Sequence, residues 1–209
     1  MPVRMLFVGN SFTLRNQLPR LLRDLAAHAE HPIEVEFKMI MAGGASLRRH
    51  WNAGAAQRAL AESAFDYVVL QEQSTLPLKN PARYHDNVRA FAPLIGEHGA
   101  RMVLYLTWSR RHVPDAQADL TRAVEQIGAE THALVVPVGV AWHAALAKHP
   151  ALPLYDADGS HPTAAGSYLA ACVFLVSVFG ERPRGWAVSD ALKLDRATAQ
   201  ALHDAASAL

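Results

Sequence analysis

The sequence predicts a three-layer α/β sandwich, in which a doubly wound parallel sheet of five strands lies between two layers of helices. Short apolar runs alternate along the chain with segments of helical periodicity, which is typical of parallel sheets. The chain has 209 residues, 51% hydrophobic and 19% charged, the composition of one ordinary globular domain. No linker rich in Gly, Ser or Pro divides it. We therefore expect a single domain over residues 1–209.

Five apolar runs are predicted to form the strands. They are Val3–Val8, Ile33–Ile40, Asp66–Leu70, Arg101–Thr107 and Leu134–Val138. Continuous apolar runs of this length, bounded by polar or glycine-containing segments, are typical of strands that are buried on both faces.

Helical periodicity fills the intervals between these strands. The predicted helices span Gln17–Ala29, Ala55–Ser63, Pro81–His98, Asp115–His132, Val140–His149 and Thr163–Phe179. One more helix, over Leu194–Ala208, is expected to be peripheral, so residues 190–209 are predicted as a peripheral C-terminal element. The apolar run Tyr168–Phe179 is too short for the ~20 residues of a membrane-spanning helix, and it is predicted to be a core helix.

Charge and composition argue against several classes of function. Lys and Arg number 20 and Asp and Glu 19, without a run of like charges, so no nucleic-acid or membrane-surface binding is expected. Cys172 is the only cysteine, which excludes an intrachain disulfide, and it is expected to be a buried thiol. The first residues enter a strand pattern without a charged leader, which indicates a cytoplasmic protein. No nucleotide-binding or zinc-protease motif is present, so no cofactor and no metal are implied.

The residues with catalytic potential follow the predicted strands, where ligands bind in such sheets. Ser11 comes two residues after Gly9, at the end of the first strand, and Asp158 and His161 precede the last long helix. A serine hydroxyl becomes a good nucleophile when an imidazole takes its proton and a carboxylate orients that imidazole. These three residues therefore form a candidate triad. Taken singly, a serine after a strand is more often a helix cap, and an Asp-x-x-His a turn.

Three further residues are candidates for substrate binding. Gly44, after the second strand, and Gln73, after the third, are predicted to donate to an oxyanion, together with the Ser11 amide. The simpler alternatives are a turn glycine and a polar residue at a strand end. Trp108 follows the fourth strand, where its indole either stacks on a sugar ring or packs on neighbouring loops. Glu72 is expected to be a solvated carboxylate.

These segments resemble the conserved blocks of the SGNH/GDSL hydrolase superfamily, which is named after Ser, Gly, Asn and His. Gly9-Asn10-Ser11-Phe12 is similar to the first block, Gly44 to the second and Asp158-Gly159-Ser160-His161 to the last. Gln73 stands where the family usually has Asn, and Gln71 where it has Gly. The resemblance runs from the first block through the helix after the last, and it implies a flavodoxin-like five-stranded sheet.

The resemblance also implies a serine esterase that forms an acyl-enzyme on Ser11, with Asp158 and His161 completing the triad. The predicted core elements use nearly all of the chain and leave little for an apolar lid. We therefore expect short acyl groups, such as acetyl, on a carbohydrate or another polar carrier. Two alternatives stay open: a thioesterase or lysophospholipase on the same triad, and a non-catalytic carbohydrate-binding module. The second alternative is motivated by Gln73, whose extra methylene moves the amide by more than ~1 Å.

Overall fold

A parallel sheet of five strands forms the centre of the structure, a computed structural model that describes residues 1–209. The strands are β1 (Val3–Gly9), β2 (Val35–Met41), β3 (Tyr67–Leu70), β4 (Arg101–Tyr105) and β5 (Leu134–Val136). Their order is β2-β1-β3-β4-β5, and every pair is parallel. The connections diverge between β1 and β3, which makes the carboxyl ends of these two strands the topological switch point. The predicted sheet is confirmed.

Helices cover both faces of this sheet. They are α1 (Ser11–Leu14), α2 (Leu18–Ala27), α3 (Leu47–Ala53), α4 (Ala55–Glu62), α5 (Leu76–Lys79), α6 (Pro81–Glu97), α7 (Gln117–Thr131), α8 (Val138–Lys148), α9 (Ala164–Phe179), α10 (Ala187–Ala191) and α11 (Arg196–Ser207). One face packs against α2, α8, α9 and α11, and the other against α3, α4, α6 and α7. No helix combines the length and the apolar character that crossing a membrane requires.

The two hydrophobic cores explain why the strands read as continuous apolar runs. In β1, Met5 and Phe7 point into the core beneath α9, whereas Leu6 and Val8 point into the core beneath α6. Successive side chains of a strand face opposite sides of the sheet, so a strand covered on both sides must be apolar at every position. The helix α9 is itself apolar almost throughout, and its Cys172 is fully buried as predicted.

The C-terminal helix α11 packs more closely than the peripheral element that the sequence suggested. Its residues Ala199, Leu202 and Ala206 are fully buried, and the last two belong to the core beside α9. On the same side, the Tyr168 hydroxyl of α9 and Nε2 of His203 form a hydrogen bond of 2.7 Å. The inner face of α11 is therefore part of the core beside α9.

Four short helices were absent from the sequence-based prediction, namely α1, α3, α5 and α10, and α3 is the longest of them. Its seven residues include Arg48, Arg49 and His50, and such a short polar segment gives no clear helical periodicity. The helix is nevertheless capped at both ends, by the side chain of Ser46, which accepts from the Arg49 N–H, and by Gly54 in the left-handed region. It follows the loop that contains Gly44, and it thereby fixes one wall of the site described next.

Candidate active site

Ser11, His161 and Asp158 form one hydrogen-bonded chain at the carboxyl edge of the sheet. The Ser11 Oγ lies 2.9 Å from His161 Nε2, and His161 Nδ1 lies 2.5 Å from Asp158 Oδ2. Because Nδ1 faces a carboxylate, it carries the ring proton, and Nε2 is left to accept the hydrogen of the serine hydroxyl. Ser11 and His161 are half-buried, so a substrate can reach both. The structure thus brings the three predicted side chains into hydrogen-bond contact.

The position of Ser11 depends on a tight transition from β1 into α1. Asn10 caps the helix by accepting from the Phe12 N–H at 3.2 Å, and Ser11 is the first helical residue, whose N–H has no acceptor within the helix. Gly9, the last residue of β1, lies under the side chain of Gln71. A Cβ at Gly9 would approach Gln71 Oε1 to 2.8 Å, which explains why the position needs glycine.

The loop before α9 presents Asp158 to His161. Oδ1 of Asp158 accepts from the backbone N–H groups of Ser160 and His161, each at 2.9 Å, while Oδ2 faces the imidazole. Gly159 has φ +66°, which an L-amino acid rarely adopts, and it allows the loop to close around the carboxylate. The hydrogen bond to the imidazole, followed by the two backbone hydrogen bonds, holds the pKa of Asp158 well below its usual range. The carboxylate is therefore ionised at neutral pH.

Two consecutive residues, Arg15 and Asn16, connect the segment of Ser11 to the loop of His161. Arg15 forms an ion pair of 2.5 Å with Asp156, and Asn16 Nδ2 donates to the Pro162 carbonyl at 3.1 Å. Asn16 and the following Gln17 have φ 54° and 55°, and consecutive non-glycine residues in this region cost on the order of 1–3 kcal/mol each. The contacts to the histidine loop maintain this strained conformation.

The two candidate oxyanion donors lie in the loops after β2 and β3. Gly44 has φ +61°, a Cβ there would meet no atom within 4 Å, and its N–H has no acceptor in the protein. The side chain of Gln73 is held at its oxygen, because Oε1 accepts from both the N–H and the hydroxyl of Thr75 at 3.0 Å. These contacts leave Nε2 of Gln73 as the free end of the amide, which is the end that can donate.

One asparagine connects the three loops. Nδ2 of Asn10, which is adjacent to Ser11, donates to the Ala45 carbonyl at 3.0 Å and to the Glu72 carbonyl at 3.3 Å. Ala45 is adjacent to Gly44, and Glu72 is adjacent to Gln73. The nucleophile segment and both candidate donor segments therefore meet at a single buried amide.

Comparison with known proteins gives evidence on the family of this chain that is independent of the site geometry. The chain matches no protein-family model and no curated protein. It is 32% identical to a solved structure from Slackia heliotrinireducens, provisionally described as an SGNH hydrolase, with a TM-score of 0.75, and the match covers 85% of this chain and 100% of that one. The chain belongs to the SGNH hydrolase family. The predicted family membership and enzyme class are confirmed.

Two more distant structures share the fold of this SGNH hydrolase. A DUF4886 family protein from Bacteroides uniformis is 19% identical, with a TM-score of 0.70 over 99% of this chain and 93% of that one. A variant of an acetyl xylan esterase from Geobacillus stearothermophilus is 16% identical, with a TM-score of 0.71 over 88% of this chain and 97% of that one. At these identities the likeness concerns the fold.

In this SGNH hydrolase, Trp108 does not form the exposed stacking surface that was one of its two predicted roles. It is 2% exposed, and its Nε1 donates to the Ser160 carbonyl at 3.0 Å. Its ring stacks on Trp142 at 3.8 Å between centroids and on Phe12 at 5.0 Å. The other predicted role, packing on neighbouring loops, is the one observed. Through its hydrogen bond to Ser160, Trp108 supports the loop that carries His161.

Glu72 also differs from the expectation of a solvated carboxylate, because it is only 5% exposed. Gln71, which precedes it, is fully buried, and its Oε1 accepts from the Asn10 N–H at 2.9 Å and from the Thr13 hydroxyl at 3.1 Å. The sequence alone did not predict the burial of Glu72. The available signal was two hydrogen-bonding side chains in direct continuation of the buried run Val68–Leu70, where exposed polar residues are not expected.

Proposed function

We propose that this SGNH hydrolase cleaves carboxylic esters through an acyl-enzyme on Ser11. The observation that carries the proposal is the continuous hydrogen-bonded chain from Ser11 Oγ through the His161 imidazole to the Asp158 carboxylate. This arrangement supplies a nucleophile, a general base and a group that orients the base, in hydrogen-bond contact. The same chain argues against the non-catalytic binding module, which has no use for an oriented imidazole beside a serine.

The reaction has two halves. In the first, the Ser11 Oγ attacks the ester carbonyl and transfers its proton to His161 Nε2; the tetrahedral intermediate then breaks its bond to the alkoxy oxygen, which takes that proton and leaves as the alcohol. In the second half, water attacks the acyl-serine and gives a proton to the same nitrogen. Collapse returns the proton to Ser11 and releases the carboxylic acid. Asp158 stays ionised and stabilises the imidazolium in both halves.

The developing negative charge on the carbonyl oxygen needs donors that are already in place. We assign this role to the N–H groups of Ser11 and Gly44 and to Nε2 of Gln73. The first two N–H groups have no acceptor within the protein, and the third donor belongs to an amide whose other end Thr75 holds. The anchoring by Thr75 compensates for the greater length and freedom of Gln compared with the Asn that the resemblance led us to expect.

The finer proposal is that the acyl group is short and the carrier polar, such as an acetylated carbohydrate. The triad lies in an open part of the surface, with Asp158 exposed and Arg15 and Asp156 beside it. A cavity of about 740 Å³ is lined by residues of α7, α8 and the segment before α7, and by none of the candidate site residues. One of the proteins with the same fold is an acetyl xylan esterase, which is consistent with this substrate class.

Acyl-chain preference tests the finer proposal. We expect kcat/KM for p-nitrophenyl acetate to exceed that for p-nitrophenyl octanoate, because none of the five main cavities is lined by Ser11, and burying a long chain would need such a cavity to gain ~0.8 kcal/mol per methylene. The measurement is the initial rate of p-nitrophenol release across the series from two to twelve carbons. A clear preference for eight to twelve carbons would refute the short-acyl proposal, and faster cleavage of an acetyl thioester than of the ester would favour the thioesterase alternative.

Substitution of Gln73 tests its assigned role. We expect Gln73→Ala to lower kcat for p-nitrophenyl acetate by about 10²-fold, the usual cost of one oxyanion donor. Gln73→Glu should lower it further, since it puts a negative charge where the oxyanion forms. Ser74→Ala, a change at the next residue, is the matched control and should have the parent kcat. If Gln73→Ala kept the parent kcat, the side chain would have no part in the oxyanion site.

A further inference from the structure

A buried carboxylate lies next to the proposed oxyanion donors, and the reaction steps above do not use it. Oε1 of Glu72 accepts from the Leu47 N–H at 3.0 Å and from the Gln73 N–H at 2.7 Å. Its Oε2 accepts from Asn87 Nδ2 at 2.8 Å. All three hydrogen-bond partners are neutral, and no ion pair joins Glu72 to a cation, although the charge of Arg83 is near enough to favour the carboxylate. Burying a carboxylate without an ion-pair partner costs free energy of folding. The structure should therefore contain a role for Glu72 that offsets this cost.

The partners of Glu72 belong to the segments that supply the oxyanion donors. Leu47 is the first residue of α3 and ends the loop that contains Gly44. Gln73 is the other candidate donor, and its backbone N–H binds the same oxygen atom of Glu72 as the Leu47 N–H. One carboxylate oxygen therefore fixes the distance between two loops that are far apart in the sequence. The backbone carbonyl of Glu72 adds a third connection, because it accepts from Asn10 beside the nucleophile.

The third partner, Asn87, has a fixed orientation. Its Oδ1 accepts from Nε of Arg48 at 3.1 Å, so the amide must present Nδ2 to Glu72. A glutamine at position 72 could keep both bonds at Oε1, but its NH₂ group would then face the NH₂ group of Asn87. Two donors in contact repel each other, and neither would have an acceptor. The site therefore requires an acceptor at both oxygens of residue 72.

We propose that Glu72 is the positioning residue of the oxyanion site, holding the loop of Gly44 and the loop of Gln73 at the spacing that the transition state needs. This inference rests on the proposed esterase function. Burial raises the pKa of Glu72, and its three hydrogen bonds oppose that effect by favouring the carboxylate. Its influence on the reaction passes through the two donors, since its oxygens face backbone and amide N–H groups of the protein.

Glu72→Gln is expected to lower kcat for p-nitrophenyl acetate by about 10²-fold with little change in KM, because a displacement of the donors by ~1 Å acts on the transition state. Asn87→Ala removes only one donor to Oε2 and should cause a smaller loss of kcat. If the folded Glu72→Gln enzyme kept the parent kcat, the inference would be wrong.

A paired substitution separates positioning from general stability. In the double variant Glu72→Gln/Asn87→Asp, the amide at position 72 donates to the new carboxylate at position 87, which also accepts from Arg48. We expect this variant to recover kcat to within about threefold of the parent, a residual cost below ~1 kcal/mol. Asn87→Asp alone opposes two carboxylates and should have a low kcat.

Thermal unfolding and turnover are measured on the same samples, including Ser11→Ala. Recovery of the melting temperature without recovery of kcat in the double variant would overturn the positioning role. Should Glu72→Gln fail to fold, Asn87→Ala and the double variant still decide the question by their kcat values. Failure of the proposed function looks different: the parent would not cleave the ester, or Ser11→Ala would cleave it equally fast.

Discussion

Replacing Ser11 by alanine is expected to lower kcat/KM for p-nitrophenyl acetate by at least ~10³-fold, because the attacking oxygen is removed. His161→Ala should cause a loss of similar size, since the hydroxyl then has no base at 2.9 Å to take its proton. The double variant should be no worse than either single one, because the two groups act as one unit. The measurement is p-nitrophenol release at enzyme concentrations high enough to quantify the residual rate.

Matched controls distinguish a loss of catalytic activity from a loss of folding. His31→Ala changes a histidine whose side chain is 82% exposed, remote in sequence from the site, and should retain the parent rate. Circular dichroism and thermal unfolding of every variant establish that the fold is retained. A Ser11→Ala enzyme with the activity of the parent would show that another residue is the nucleophile.

Gly139→Ala is expected to cause the largest loss of stability among glycine substitutions in the helices. A Cβ at Gly139, near the start of α8, would lie 2.1 Å from the Thr107 carbonyl oxygen and 2.4 Å from Gln117 Nε2. Neither atom is free to move, since Thr107 O accepts from Gln117 and Gln117 Oε1 accepts from the Ser109 N–H at 2.7 Å. We expect a loss of about 3 kcal/mol, at the upper end of overpacking costs, and a decrease in Tm of about 6–12 °C.

The same substitution at Gly96 is the control for Gly139. Gly96 lies in α6, its φ is in the ordinary range, and a Cβ there would meet no atom within 4 Å. Gly96→Ala should therefore leave stability unchanged or raise it by about 0.5–1 kcal/mol, through helix propensity and a less flexible unfolded chain. Equal melting temperatures for the two variants would contradict the close contact between α8 and the segment that follows β4.

The sheet was predictable because its strands are covered on both faces. A run such as Val3–Val8 must be apolar at every position, and that signal needs no knowledge of the neighbouring elements. The main helices were predictable for a similar reason, to within one or two residues at most ends. The helix α3 was not, because its stability comes from caps and from packing of Leu47, which is fully buried, and not from a periodic apolar pattern.

The candidate site shows which site features a single sequence predicts and which it does not. Ser11, Asp158 and His161 were predictable as a candidate triad because a triad needs particular residue types in loops that follow strands, and the sequence displays those types. The burial of Trp108 and Glu72 depends on which side chains of distant segments cover them, namely Trp142 for one and Asn87 for the other. Local sequence patterns do not reveal such contacts between distant segments.

The separation of Ser11 from His161 by 150 residues has a consequence for synthesis of the protein. At translation rates of about 5–20 residues per second, roughly 8–30 s pass between the addition of Ser11 and the addition of His161. By the end of that interval all five strands have been synthesised, whereas His161 has not yet been added. On the proposed mechanism, a nascent chain therefore cannot form the acyl-enzyme with the help of His161 until nearly four fifths of the protein has been synthesised.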